Sequence, residues 1–295
     1  EADRPRSVLV SHQSHDNHVD SLLYCDGGDH ITELSSSTTP LVRATGNAFS
    51  SGTEQIALFR VAECELELSS SKLTDEHLVV SSGSAMVEML NVTAERTKLL
   101  YLNDSRRTGF GAEIEIHSAH FVNNSDLMET YLKPQDSVRI YDSDFEQSTM
   151  TVFSGTAESW TGSTGNQLNM SNCNFMHYTG DRRVFYLEPD DQDWMPNVTL
   201  SGSAIYDNAN SSQSLNTSLF TIHSINFNER AHSLFRVTDT RFEDNNGDIF
   251  SIMEPDIGDS VVMNNYVTFS NVNFSRNEKS VLFHEYGPYG ASTVV

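Results

Sequence analysis

Three stretches decide the fold: VTLSGSAIYDN (residues 198–208), FRVTDTRFEDN (235–245) and VTFSNVNFSRN (267–277). They align without gaps, and each has an apolar residue at its first, third and eighth positions. The fifth position holds Gly202, Asp239 and Asn271, residue types that accept a left-handed backbone conformation. Because side chains alternate between faces along a strand, this pattern predicts two short strands separated by a tight bend.

Five further windows align with these three: FRVAECELELS from Phe59, VEMLNVTAERT from Val87, IEIHSAHFVNN from Ile114, VRIYDSDFEQS from Val138 and LNMSNCNFMHY from Leu168. In all eight windows the first, third and eighth positions are apolar, the fifth is polar or glycine, and the sixth is small or apolar. A helix would need apolar residues three and four apart, so the columns favour strands.

A second kind of apolar segment follows most of the windows. Its members are residues 99–102 (LLYL), 184–187 (VFYL), 219–222 (LFTI), 249–252 (IFSI) and 281–283 (VLF). Each repeat unit is therefore predicted to contain two or three strands joined by polar turns. Residues 220–227 (FTIHSINF) also fit the eleven-residue pattern, but they begin only 15 residues before Phe235, and we assign them to the other face.

The pattern apolar-x-apolar-x-polar-small-x-Phe-x-x-Asn resembles the right-handed parallel β-helix superfamily, the pectin-lyase-like folds. It is most similar to the Phe-x-x-Asn repeats of polymorphic outer-membrane-type surface proteins. The motif ends at Asn124, Asn245 and Asn277, with Ile205–Asn208 as a variant. The resemblance implies an all-β, single-domain right-handed parallel β-helix of roughly 8–11 coils with irregular loops. We predict N-terminal coils or a cap in residues 1–58, the repeats in 59–285 and a C-terminal extension in 286–295.

The net charge of −23 excludes nucleic acid and anionic lipid as favoured partners, because such a surface repels both. The longest apolar runs fall well short of the ~18 residues needed to cross a bilayer, so we expect no membrane insertion. The polar opening Glu1–Pro5 does not read as a signal peptide and is typical of a mature chain or an excised fragment.

Eight Asn-x-Ser/Thr triplets are predicted glycan acceptors, and they begin at Asn91, Asn103, Asn123, Asn169, Asn197, Asn210, Asn216 and Asn273. Four of them fall within the aligned windows, and none of these occupies an inward column. Attachment of a glycan requires an outward position, so the sequence favours a glycoprotein that is secreted or on the cell surface. The alternative is that outward positions are polar for solubility alone.

The cysteines, Cys25, Cys64 and Cys173, are too few for a disulfide framework. In the alignment Cys64 and Cys173 share the sixth position four coils apart. At roughly 4.8 Å per coil they would be about 19 Å from each other, beyond the reach of a disulfide. We expect no disulfide and buried thiols that act as small apolar groups.

Acidic turns provide the candidate metal ligands Asp190, Asp191, Asp193, Asp256 and Asp259. The segment 187–193 (LEPDDQD) is echoed by 253–259 (MEPDIGD) and by 132–136 (LKPQD), each after a strand of the second kind. Repetition favours a turn in which Pro fixes φ and Asp caps the bend. Calcium binding is the alternative, and no other cofactor is required by the sequence.

Other polar clusters have a functional and a structural interpretation. His12, His15 and His18 have the spacing of a metal site, but they lie in a polar segment near a terminus, where exposed histidines are common. In an enzyme, the pairs Arg106–Arg107 and Arg182–Arg183 would bind acidic sugars, and Trp160, Trp194 and Tyr178 would stack on sugar rings. The alternative is that the arginines are solvated on the surface and that the aromatic side chains cap loops against the solenoid. The remaining histidines, His117, His120, His177 and His223, are scattered over outward positions and indicate no site.

The function favoured by the sequence is that of an extracellular, glycosylated structural, adhesive or assembly module, in a surface appendage or filament. Its partners would be other copies, other extracellular proteins or polysaccharide. A polysaccharide lyase, hydrolase or epimerase is the first alternative, and it requires several of Asp190, Asp191, Asp193, Arg182 and Arg183 to converge in one groove. A calcium-dependent binding module is the second. A repeated pattern without a singular polar cluster favours the non-enzymatic function.

Overall fold

The computed structural model describes residues 7–11, 21–26, 41–45, 48–50, 57–62, 65–74, 77–80, 85–102, 111–125, 127–132, 135–154, 166–180, 183–189, 197–210, 218–223, 233–253, 265–278, 284–286 and 293–294. These residues form strands, turns and bends, and they contain no helix. Among them there is accordingly no helix long and apolar enough to cross a membrane.

The strands form three parallel sheets. Sheet 1 consists of β1 (Ser7–Ser11), β3 (Leu41–Thr45), β6 (Glu65–Ser69), β9 (Met86–Leu90), β12 (Glu113–His117), β15 (Ser137–Tyr141), β18 (Asn166–Ser171), β22 (Asn197–Ser201), β26 (Ser233–Thr238), β29 (Asn265–Ser270) and β32 (Thr293–Val294). Sheet 2 consists of β4 (Ala48–Ser50), β7 (Lys72–Thr74), β10 (Thr93–Glu95), β13 (His120–Val122), β16 (Asp144–Glu146), β19 (Asn174–Met176), β23 (Ala204–Tyr206), β27 (Arg241–Glu243) and β30 (Asn273–Ser275).

Sheet 3 consists of β2 (Ser21–Asp26), β5 (Ala57–Ala62), β8 (His77–Val80), β11 (Lys98–Leu102), β14 (Met128–Leu132), β17 (Met150–Ser154), β21 (Phe185–Pro189), β25 (Phe220–His223), β28 (Phe250–Met253) and β31 (His284–Tyr286). A separate short pair joins β20 (Thr179–Gly180) to β24 (Ala209–Asn210). From β3 onward the chain visits sheets 1, 2 and 3 in fixed rotation, and we call one such round a coil. The all-β architecture of stacked parallel sheets is compatible with a β-solenoid.

Seven of the eight aligned windows are confirmed residue by residue. Their first positions are paired in sheet 1, from Val87 through Ile114, Val138, Leu168, Val198 and Phe235 to Val267. Their eighth positions are paired in sheet 2 from Ala94 to Phe274. A one-residue slip would turn every side chain to the opposite face, so burial of the apolar columns fixes this register.

The window from Phe59 was misaligned. Phe59 lies in β5 and pairs with Leu23 and Leu78 in sheet 3. The residue that pairs with Val87 is Leu66, so this copy begins seven residues later than predicted. Its sixth position is then Ser71, and Cys64 does not share the column of Cys173 as we had expected. The error arose because β5 and β6 are separated by only two residues, and their combined pattern imitates a window.

The fifth position is a left-handed bend in all eight coils in which the structure describes it, as the sequence indicated. Gly202 has φ 58°, and the non-glycine residues at this position have φ between 48° and 55°: Ser70, Asn91, Ser118, Asp142, Asn172, Asp239 and Asn271. A second left-handed column lies at the tenth position, in Arg96, Asn123, Gln147, His177, Asp207, Asp244 and Arg276. The sequence did not reveal this second bend, because arginine, glutamine and histidine are not typical of it.

The core consists of the inward columns. Aromatic rings stack from coil to coil, with centroids 4.9 Å apart for Phe121 and Phe145, 4.5 Å for Phe145 and Phe175, and 4.9 Å for Phe242 and Phe274. Apolar residues of sheet 3, such as Phe220 and Phe250, contact these rings edge-on. Sheet 3 contains four of the five predicted segments of the second kind, while residues 281–283 are outside the described part.

The final Asn of the Phe-x-x-Asn motif forms a buried ladder. Asn245 Nδ2 donates to Ile205 O at 2.9 Å and to Asn277 Oδ1 at 3.0 Å, and Asn245 Oδ1 accepts from Asn208 Nδ2 at 3.0 Å and from the Asn208 amide at 3.2 Å. Asn208 Oδ1 in turn accepts from the Tyr178 amide. These bonds satisfy amides at a turn where the sheet ladders are interrupted, which explains why asparagine is buried at this position.

The small side chains at the sixth position include serines, and these form a second ladder. Ser143 Oγ accepts from the Ala119 amide, and Ser203 Oγ accepts from the Cys173 amide. Each hydroxyl also donates to the carbonyl two residues earlier, Tyr141 O and Ser201 O respectively. The two bends that separate sheet 1 from sheet 2 and sheet 2 from sheet 3 are therefore both cross-linked from coil to coil.

Replacing Asn245 by alanine tests the asparagine ladder. Asn245→Ala leaves Ile205 O and the Asn208 amide without their partners inside the protein, so we expect a loss of about 2–4 kcal/mol of unfolding free energy. Asn246→Ala, at the exposed neighbouring position, is the matched control and should change stability by about 0.5 kcal/mol or less. Urea unfolding followed by circular dichroism measures both, and equal effects would refute the ladder.

Candidate functional surface

The outward face of sheet 1 carries stacked carboxylates over three coils. Glu67, Glu88 and Glu115 are in register on β6, β9 and β12. Glu65 and Glu113 flank this column on the same face. Like charges in adjacent strands repel each other, so the face has a local electrostatic cost that a cation relieves.

Arg139 supplies that cation at one end of the column. Its Nη1 lies 2.5 Å from Glu115 Oε1 and 3.1 Å from Glu113 Oε1. The hydrogen bond from Arg139 lowers the pKa of Glu115, and the same bond raises the pKa of Arg139. All three side chains remain more than a third exposed, so water screens the pair and its contribution to stability is small.

Two apolar side chains interrupt this acidic face. Met86 and Leu90 flank Glu88 on β9 and are 44% and 49% exposed. Nearby, the His117 ring stacks on Tyr141 with centroids 4.8 Å apart. The face therefore combines carboxylates with apolar and aromatic surface, a composition suited to contact with a basic partner.

On sheet 2 the coil stacking brings together two histidines and three carboxylates. His120 Nε2 lies 3.7 Å from Glu146 Oε2, and His177 Nδ1 lies 3.5 Å from Glu146 Oε1. Asp144 lies beside His120 and Asp207 beside His177, at 3.9 Å and 3.7 Å. We call these five residues the histidine row. They come from four successive coils: β13, β16, the turn after β19 and the turn after β23. No local motif could therefore have revealed them.

Carboxylates lie on both sides of His120 and of His177, with distances of 3.5 to 3.9 Å between the ring nitrogens and the carboxylate oxygens. All five side chains are 35–69% exposed, which keeps them accessible to solvent. Among the described residues, no group of three or more His, Cys, Asp or Glu has the arrangement needed to hold a metal ion. The row is thus a surface of acid and base groups, with His120, Glu146 and His177 at its centre.

The predicted metal ligands Asp190, Asp191, Asp193, Asp256 and Asp259 lie outside the described residues. Their relative in the third acidic turn, Asp136, is described. It is buried, and its Oδ1 accepts a hydrogen bond of 2.8 Å from the Ala112 amide of the preceding coil. This copy of the turn is structural, in agreement with the interpretation favoured by repetition.

The structure shows the surroundings of some of the other candidate sugar-binding residues. For Tyr178 the sequence left open sugar stacking and packing against the solenoid, and the structure favours packing: Tyr178 occupies the buried eleventh position and is only 8% exposed. The Arg183 guanidinium lies 4.1 Å above the ring of Tyr186 on β21, a cation–π contact between residues three apart in the chain. His12, His15, His18, Trp160, Trp194, Arg106, Arg107 and Arg182 fall in parts of the chain that the structure does not describe, and the side chain of His223 is not described either.

The sequon asparagines with described side chains all lie on outward positions. Asn91 and Asn123 are exposed at left-handed turns, and Asn273 is exposed on β30. Asn169 and Asn197 are half-buried on the outer face of sheet 1, and Asn169 Oδ1 is itself buried without a hydrogen-bond partner. The side chains of Asn103, Asn210 and Asn216 are not described. Glycosylation of these sites stays a prediction.

Cys173 is a free thiol, fully buried in the sixth column. Its Sγ donates to Ser171 O at 3.5 Å and to Ile140 O at 3.6 Å, as the hydroxyls do in neighbouring coils. Burial raises the pKa of this thiol to about 12, which keeps it protonated and unreactive. The side chains of Cys25 and Cys64 are outside the described part.

Comparison with known proteins gives little further guidance. No protein-family model matches the sequence, and no curated protein matches it significantly. A solved structure described as Geobacillus virus E2 ORF18 is similar over 89% of this chain and 55% of its own, with 10% sequence identity and a TM-score of 0.34. This chain therefore spans about half of that neighbour, and the similarity is too low to support an inference.

Removal of Arg139 tests the acidic face. Because Arg139 lowers the pKa of Glu115, the pair contributes stability above the unfolded-state pKa of glutamate, and this contribution is lost as pH falls through the lower folded-state pKa. Arg139→Leu should therefore reduce the acid-induced loss of stability between about pH 5 and pH 3 by at most about 1 kcal/mol. Arg236→Leu, at the same position on β26, is the control. Urea titrations at each pH measure the effect, and indistinguishable profiles would contradict it.

The thiol of Cys173 gives an independent check on core packing. We expect iodoacetamide at about pH 8 to leave Cys173 unmodified in the folded protein and to alkylate it in urea, because the thiolate is the reactive form. Peptide mass spectrometry follows each cysteine separately. Cys173→Ser should fold, since Ser143 and Ser203 occupy equivalent positions, and rapid native alkylation would show that the column is open.

Proposed function

We propose that this chain is an extracellular, N-glycosylated β-helix module with a structural, adhesive or assembly role. The observation that carries the proposal is the consistent use of buried polar residues for coil-to-coil hydrogen bonds. Asn208, Asn245, Ser143, Ser203 and Asp136 all bond the backbone of a neighbouring coil. Such an interior supports a long, stiff scaffold, while the outer faces remain available to partners.

The proposal includes right-handed winding of the three sheets, as in pectin-lyase-like folds. Parallel strands joined through a crossover connection are right-handed in the great majority of proteins. The Phe-x-x-Asn motif supports the same assignment, because its asparagines form the ladder at the bend between sheets 2 and 3. A scaffold of this kind is expected in a surface appendage or filament, secreted or attached at the cell surface.

Glycan acceptors in favourable geometry support the extracellular location. Asn91 and Asn123 occupy exposed left-handed turns, and Asn273 lies on the outer face of a terminal strand. A bulky polar glycan fits at such positions without disturbing the inward columns. The partners that follow from the acidic and apolar face of sheet 1 are other copies, other extracellular proteins or polysaccharide, whereas the net charge of −23 disfavours nucleic acid.

One observation favours an enzyme as the second candidate. The histidine row places Glu146 between His120 and His177, and paired acid and base groups are what a polysaccharide lyase, hydrolase or epimerase requires. The accessible outer face of sheet 2 could accommodate an extended glycan. Calcium binding by the acidic turns remains a third candidate with its ligands outside the described residues.

Glycopeptide mapping tests the proposal. After passage of the chain through a eukaryotic secretory pathway, we expect high glycan occupancy at Asn91, Asn123 and Asn273 and secretion of a folded product. Asn172, an exposed turn asparagine without a sequon, is the internal control. Absence of glycan at all three sites in a secreted, folded chain would refute the glycoprotein assignment.

The same secreted protein serves to test whether the chain is an enzyme or a structural module. A panel of acidic and neutral polysaccharides should be left intact by the wild type if its role is structural. Cleavage that is abolished by Glu146→Gln and retained by Glu95→Gln, a variant at the equivalent ninth position on β10, would establish the enzymatic alternative instead.

A further inference from the structure

One dipeptide at the bend between sheet 2 and sheet 3 has a reactivity that the proposed function does not use. The chain contains a single Asn-Gly sequence, Asn246–Gly247, directly after the ladder residue Asn245. An asparagine followed by glycine is especially susceptible to attack by the next main-chain nitrogen, because glycine has no Cβ to obstruct that nitrogen. The reaction in a folded protein therefore depends on whether the fold leaves both groups free.

The side chain of Asn246 is free to react. Asn246 is exposed, and its carboxamide makes no hydrogen bond to any residue that the structure describes. Its neighbour Asn245 is buried, with its Nδ2 donating to Ile205 O and its Oδ1 accepting from Asn208 Nδ2. The carboxamide of Asn246 can therefore turn toward its own main chain in contact with water, whereas that of Asn245 is held in place.

The main-chain nitrogen of Gly247 is free as well. The Asn246 amide donates to Asn208 O at 2.8 Å, and the Glu278 amide donates to Asn245 O at 2.9 Å, but the Gly247 amide donates to none of the described residues. Gly247 has φ 150°, a conformation that residues with a Cβ rarely adopt. The bend therefore requires glycine directly after Asn246, and the attacking nitrogen need not break a hydrogen bond within the described structure.

We propose that Asn246 is a site of spontaneous deamidation, which converts it to aspartate and isoaspartate without an enzyme. The Gly247 nitrogen gives its proton to hydroxide and forms a bond with Asn246 Cγ, the Cγ–Nδ2 bond breaks, and Nδ2 leaves as ammonia. Water then opens the five-membered imide: cleavage of the bond from nitrogen to Cγ gives aspartate, and cleavage of the bond from nitrogen to the main-chain carbonyl carbon gives isoaspartate. One water is consumed, one ammonia is released, and nothing is oxidised or reduced. The reaction needs no partner, so the inference is independent of the proposed function.

The position of the site in the coil stack gives the reaction a structural consequence. Asn246 forms a parallel bridge with Ala209, and two residues later Asp248 O accepts from the Leu219 amide at 2.9 Å. Isoaspartate adds a methylene group to the main chain between these two contacts, so the coil no longer follows the path of the coil on which it stacks. Both products also add a negative charge to a chain whose net charge is already −23. We therefore expect the modified protein to unfold at a lower temperature.

Peptide mass spectrometry of the full chain, incubated in the folded state at mildly alkaline pH, tests the proposal. We expect the Asn246 residue to gain about 1 Da, and protein isoaspartyl methyltransferase to label its peptide. Asn91 is the internal control, because it is exposed at a left-handed turn but is followed by Val92. Production in a bacterial cytosol keeps Asn91 free of glycan. Asn246 should react at least about 10-fold faster than Asn91, since the β-branched side chain of Val92 shields its own amide.

The variant Asn246→Gln is the second control, because glutamine would have to form a six-membered ring and reacts far more slowly. Its thermal midpoint should be the same before and after incubation, whereas the midpoint of the wild type should fall as the fraction of isoaspartate rises. Conversion of Asn246 no faster than that of Asn91, or conversion only after denaturation in guanidinium chloride, would overturn the proposal. Equal midpoints for the incubated wild type and the incubated variant would overturn its structural consequence.

Discussion

The whole architecture depends on one constraint: each coil must follow the same backbone path as the coil on which it stacks, and its inward side chains must be of matching kinds. Strand ladders meet this requirement along the sheets, where Val198, Phe235 and Val267 are stacked in register. The bends are the weak points, because the ladders stop there and backbone amides would be left without partners. Asparagine in the eleventh column and small hydroxyl or thiol side chains in the sixth replace the missing bonds.

The same constraint determines where chemistry can reside. Inward positions are occupied by apolar stacks and polar ladders, so any partner must use the outward positions of the sheets and the turns. On sheet 1 this produces the column Glu67, Glu88 and Glu115 with Arg139 at its end. On sheet 2 it produces the histidine row around Glu146. Both groupings are surface features of a regular scaffold, in keeping with the scaffold role that we propose.

The regular pattern also explains the one error in the alignment, and it explains why the sequence did not predict the residues of the candidate functional surface. The Phe59 window satisfied the apolar pattern although its two halves belong to sheets 3 and 1, because every inward column of every sheet is apolar. For Tyr178 the sequence left two roles open, sugar stacking and packing against the solenoid. The alignment places it in the eleventh column, but its burial and the hydrogen bond from its amide to Asn208 Oδ1 are evident only from the structure.

For seven of the eight windows the sequence by itself determined the strands, the register and the left-handed fifth position, because burial of alternate residues imposes a period that is visible in the sequence. It also indicated a third strand per coil and the outward placement of Asn91, Asn123 and Asn273. Only the tertiary structure decided which distant residues meet. Coils of 24 to 37 residues place His120, Glu146 and His177 side by side, and they join by hydrogen bonds the residues Asn208, Asn245 and Asn277, which the alignment had placed in one column. Their spacing along the chain depends on loop lengths, which carry no periodic signal.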